Sequence, residues 1–76
     1  MAKLVFLRSR DDLDNKAEYH QIEMIVEDRK TGDLRPVMVM MGLKELYEAH
    51  SYGVSVIDKK GEPICDSMGN HKYKLS

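Results

Sequence analysis

Short apolar runs alternate with polar clusters along this chain, and the period of each run predicts the element it forms. Leu4-Val5-Phe6-Leu7 is β-branched and aromatic and stops at Arg8, which reads as a first strand. Arg8 to Lys16 is the most polar stretch, with Asp11, Asp12 and Asp14 set among Arg8, Arg10 and Lys16, and reads as a solvated loop. From Tyr19 to Asp28, Ile22, Met24 and Val26 alternate with Gln21, Glu23 and Glu27, the signature of a half-buried strand. Ile25 breaks that alternation by placing an apolar residue on the polar side.

Arg29-Lys30-Thr31-Gly32-Asp33 is a turn cluster in which Gly32 supplies the positive φ that hairpin loops often require, so a β-hairpin is expected. Its second arm, Leu34 to Met41, is apolar at every position from Val37 to Met41. A strand with grease on both faces calls for cover on both faces. Leu43, Leu46, Tyr47 and His50 then fall at i, i+3, i+4 and i+7, with Lys44, Glu45 and Glu48 opposite, which predicts a short amphipathic helix over 43–50. Gly42 stands at its N-cap. Val54 to Asp58 reads as a strand, Asp58 to Glu62 as a hairpin loop, and Pro63 to Met68 as a returning arm at a sheet edge, because Pro63 has no backbone donor. Beyond Gly69-Asn70 the polar tail is expected to fray, with Tyr73 and Leu75 able to pair as a last strand.

The resulting order is β-β-β-α-β-β: an α+β domain with a mainly antiparallel sheet of four to five strands and one short helix on a face. Seventy-six residues leave room for one hydrophobic core, so residues 1–76 form a single domain. Cys65 is the only cysteine, which rules out an internal disulfide and fits a reducing, cytoplasmic setting. Leu4 to Leu7 is too short for a signal-peptide core or a membrane span, so no membrane association is expected.

Charge changes the picture little. Twelve Lys and Arg against thirteen Asp and Glu give a formal charge of −1, so no overall basic field draws the chain to nucleic acid. Local cations remain: Arg29 and Lys30 on one predicted tip, Lys59 and Lys60 on another, and Lys72 and Lys74 around Tyr73 in the tail. These six are the candidate nucleic-acid contacts.

Motifs of chemistry are sparse. His20, His50, His71 and Cys65 are the residues that would suit zinc, and their spacing forms no close pair, so no metal site is expected. Cys65 has no flanking nucleophile signature and reads as a small buried hydrophobe. Asp12, Asp14 and Glu23 imitate a calcium loop at its first, third and twelfth positions, but Lys16 stands where a ligand oxygen is needed and Ala17 where the turn calls for glycine. The five glycines are scattered and build no phosphate cradle. The chain is therefore expected to be non-enzymatic, with no cofactor.

The uninterrupted Val37 to Met41 run, with Ile25, is the most distinctive feature. With Met38 and Met40 placed beside Ile22, Met24 and Val26 under the helix, Ile25, Val37, Val39 and Met41 form an outward apolar face. Either a partner covers that face or the Arg8 to Glu18 loop or the tail folds over it. The first possibility makes the chain a protein-binding module, an adaptor, regulator or inhibitor, with another protein or a second copy as partner. Local nucleic-acid binding and a small-ligand site completed by oligomerisation are the alternatives.

Overall fold

The computed structural model describes residues 2–75. Strands β1 (Ala2–Ser9), β2 (His20–Asp28) and β3 (Leu34–Met41) precede helix α1 (Leu43–Ser51) and a short strand β4 (Ser55–Ile57). They form one four-stranded sheet in the order β3-β2-β1-β4. β1 pairs antiparallel with β2, and β2 with β3. β4 lies parallel to β1, with Leu7 opposite Val56. The sheet is thus mainly antiparallel, as the sequence pattern predicts, and the one parallel pair makes it mixed. Its connectivity explains why: α1 carries the chain across one face from the β3 edge to the β4 edge, and a strand entering after such a crossover runs alongside β1 in the same direction.

The helix is held at both ends by its neighbours in sequence. Gly42 is the N-cap, and its carbonyl accepts the Leu46 N–H at 3.1 Å. At the other end the Val54 N–H donates to Ala49 and the Gly53 N–H to His50, a Schellman closure made possible by Gly53 at φ +90°. Two and a half turns do not persist in water alone, so burial must hold them. Leu43, Leu46 and Tyr47 supply it, packing with Leu7, Leu13, Ile22, Val56, Ile64 and Cys65 into one core between helix and sheet.

Pro63 to Met68 does not form a fifth strand. Only isolated bridges join Ile57 to Pro63 and Cys65 to His71. Pro63 lacks the N–H that a ladder needs, and the Asp66 carboxylate draws in the N–H groups of Met68 and Asn70, curling the segment into a turn instead. The tail that follows is fastened and forms no strand. Lys72 N–H donates to the Ile64 carbonyl at 2.9 Å, Tyr73 N–H to the Tyr47 hydroxyl at 3.0 Å, and the His71 ring stacks on Tyr47 with centroids 3.7 Å apart. Ser76 lies outside the described residues.

Among the described residues no helix is long and apolar enough to cross a membrane.

Candidate functional site

Which side chains meet on each side of the sheet follows from the β2–β3 register. Residues directly opposite in an antiparallel pair share a face. Here His20 faces Met41, Ile22 faces Val39 and Met24 faces Val37, while Gln21 faces Met40, Glu23 faces Met38 and Ile25 faces Pro36. Ile22 is fully buried under α1, and Val39 and Met41 pack against the same core.

Three of the four expected interface residues therefore lie on the helix side. Val37, Val39 and Met41 share it, with Val37 exposed at its rim, and only Ile25 looks out from the opposite face. The reason is the length of the connection. Asp28 N–H donates to the Asp33 carbonyl at 2.9 Å and closes a loop of residues 29–32, so even-numbered residues of β2 meet odd-numbered residues of β3. A loop one residue longer or shorter would have reversed that parity.

The outer face instead carries Met38 and Met40, which remain 53% and 57% exposed. They stand in rows with the other strands. Pro36 lines up with Ile25 and Phe6, and Met38 with Glu23 and Arg8. β1 adds Arg10 beyond Arg8: its N–H donates to the Gln21 carbonyl at 2.8 Å, so the row of Met40 and Gln21 ends on Arg10. Neither the loop nor the tail covers this side. Leu13 of the loop is part of the core under α1, the Asp14 N–H donates to Nε2 of the buried His20 at 3.1 Å, and Tyr73 of the tail hangs from Tyr47. A shallow depression of about 190 Å³ opens between Gln21, Met38 and Met40.

A second hollow, of about 250 Å³, lies at the β1 end of the same rows, lined by Arg8, Ser9, Arg10 and Lys59. Among the described residues Glu23 supplies its only paired carboxylate, 3.6 Å from Arg8 and 3.2 Å from Arg10. The arginine side chains are 45% and 52% exposed, so these pairs leave donors on both guanidinium groups turned to solvent.

The basic residues expected to touch nucleic acid are scattered. Arg29 and Lys30 follow β2 at the end where Ala2 opposes Asp28, whereas Lys59 and Lys60 follow β4, which runs with β1 toward Ser9 at the other end of the sheet. Lys72 is engaged by Glu62 at 3.0 Å and Asp58 at 3.7 Å, and those carboxylates and the Glu62 contact above all hold its pKa up. Lys74 is exposed on the tail.

The remaining polar groups build structure. Asp58 is buried at the base of the β4 loop, where Oδ1 accepts the N–H groups of Lys60 and Glu62 at 2.9 Å each and Oδ2 accepts the Tyr73 hydroxyl at 3.0 Å. Cys65 Sγ lies 3.7 Å from His50 Nδ1, but burial, reinforced by Asp66, pushes its thiol pKa up, the opposite of what an attacking thiolate needs. His71 is the bridge partner of Cys65 but stacks its ring on Tyr47, His20 lies on β2, and among the described residues no three metal-ligating side chains converge. In the acidic loop, Asp14 accepts the Lys16 N–H and Asp11 the Gln21 N–H, so both carboxylates serve the turn. No protein-family model, curated protein or solved structure matches this chain.

Arg8, Arg10, Met38, Met40, Phe6 and Pro36 were not legible as one surface in the sequence. A signal for two of them was present: Arg8 and Arg10 continue the period of β1 at i and i+2, with buried Ser9 between them.

Proposed function

We propose that this chain is a small non-enzymatic protein-binding module that docks another protein on the open face of its sheet. The observation that carries the reading is the pair Met38 and Met40, more than half exposed beside Pro36, Ile25 and Phe6, on a face that neither loop nor tail covers. Methionine suits such a surface because its unbranched side chain adapts to irregular partners. A reducing, cytoplasmic setting keeps Cys65 a thiol and agrees with the reading.

The magnitudes set a condition on the partner. Completing the burial of each half-exposed methionine is worth about 1 kcal/mol, and Pro36, Ile25 and Phe6 together add a few more, for a total of roughly 3–5 kcal/mol. Association itself costs about 4–15 kcal/mol in lost freedom. Apolar contact alone falls short, so polar or ionic contacts must contribute as well.

A random-peptide display library selected on the immobilised chain tests the proposal. Peptides should be recovered that bind wild type and are lost with Met38→Lys, a substitution at an exposed site that leaves the fold and its circular dichroism intact. A library yielding no binders, or binders indifferent to Met38→Lys, refutes the reading. Light scattering at several concentrations distinguishes a second copy of the chain as the occupant, since the mass of wild type would then rise toward twice that of the variant.

A further inference from the structure

The hollow at Arg8, Arg10 and Lys59 has no part in holding the fold together that would require three cations. Glu23 alone balances Arg8 and Arg10, and among the described residues no carboxylate pairs with Lys59. Three positive groups against the one carboxylate within ion-pair distance leave two cationic charges without a direct partner at a concave spot of about 250 Å³. Guanidinium groups present forked donors that match the two oxygens of a carboxylate or the oxygens of a phosphate.

Position gives this hollow its meaning. Arg8 stands in the row of Glu23 and Met38, and Arg10 in the row of Gln21 and Met40. β1 and β3 are separated by β2, two strand spacings or about 10 Å in all. A side chain resting on Met38 and Met40 is therefore about 10 Å from an anion held by Arg8 and Arg10. That is the distance between side chains two turns apart on a helix, or three residues apart on an extended segment.

Resting on the reading of the open face as a protein-docking surface, we infer that the partner is an acidic, amphipathic segment, placing an apolar side chain on Met38 and Met40 and a carboxylate in the hollow of Arg8, Arg10 and Lys59. Charge complementarity selects this partner. The hollow attracts an anion, and the exposed methionines beside it favour an apolar neighbour over a sugar-phosphate backbone. Glu23, at the centre of the same row, repels a continuous run of phosphates while still allowing a single carboxylate to meet the arginines from the solvent side.

The test is a display selection run in parallel on wild type, Lys59→Glu and Arg10→Gln, with each folded variant checked by circular dichroism. Wild type should yield peptides that pair an aspartate or glutamate with an apolar residue at a fixed spacing. One synthetic peptide from that set should bind about tenfold more weakly to either variant, and more weakly to wild type as salt rises from about 50 to 200 mM. Peptides that depend on Met38 but show no acidic preference, or that bind both charge variants as well as wild type, overturn the inference and leave the docking face standing. The absence of any Met38-dependent peptide overturns both. A single-stranded oligonucleotide that binds wild type, ignores Met38→Lys and is lost in Lys59→Glu overturns both in favour of nucleic acid.

Discussion

Replacing Asp58 with alanine removes a carboxylate that organises the β4 loop and anchors the tail. Oδ1 accepts two loop amides, from Lys60 and Glu62, and Oδ2 accepts the Tyr73 hydroxyl, with the Lys72 ammonium 3.7 Å away. Bonds to a charged acceptor contribute about 1.5–3 kcal/mol each. The sum overstates the loss, because the loop amides lie near solvent and recover water, and because the burial cost of the carboxylate is relieved. A net loss of about 2–4 kcal/mol follows, against a total stability of roughly 4–11 kcal/mol for a domain of 76 residues. Burial by itself would raise the Asp58 pKa, but the amide of Glu62, the Tyr73 hydroxyl, the Lys60 amide and the charge of Lys72 together outweigh it and hold the pKa below its ordinary value. A carboxylate depressed in the folded state contributes stability that is complete above its unfolded pKa, near ~3.9, and disappears as pH falls through the folded value. Urea unfolding at pH 7 should therefore show a lower midpoint for Asp58→Ala, and the gap to wild type should narrow on acidification below pH ~4. Equal midpoints at pH 7, or a gap that widens in acid, would refute the reasoning.

Two further substitutions probe the same architecture. Tyr47→Phe deletes a hydroxyl that donates to the Ile64 carbonyl at 3.1 Å and accepts the Tyr73 N–H; it should cost about 1–3 kcal/mol in thermal unfolding and speed amide exchange at Tyr73. Gly42→Ala brings a methyl group within 2.9 Å of the Glu18 carbonyl oxygen, a backbone atom with little freedom to retreat, so a loss of about 1–3 kcal/mol is expected by chemical denaturation even though φ at this position is an ordinary −83°.

The fold was largely legible because its periods are clean. The second and third strands, the helix with Gly42 before it and Gly53 after it, and the β4 strand all follow from apolar spacing and turn residues. The returning arm after Pro63 was misread because a carboxylate at position 66 competes for the backbone amides a strand would use, and local propensity says nothing of that competition. The proposed docking face was half legible. That the third strand carries grease on both sides is plain from Val37 to Met41, but which side faces the helix depends on the parity of one four-residue loop, a geometric fact no composition reveals. Arg8 and Arg10 look like loop charges in the sequence although the strand runs on through Ser9, because the burial of Ser9 is invisible where it follows a polar residue.

Pro36 gives the edge strand a property of its own. The Asp28–Asp33 bond fixes which residues of β3 point their backbone toward β2, and Pro36 is among those directed away, where it offers a carbonyl but no donor. The opposite border of the sheet is only three residues long. One border therefore has its row of outward donors interrupted at Pro36 and the other is short, so neither offers an unbroken ladder to an added strand, and the exposed Met38 and Met40 side chains lie on the broad face between them.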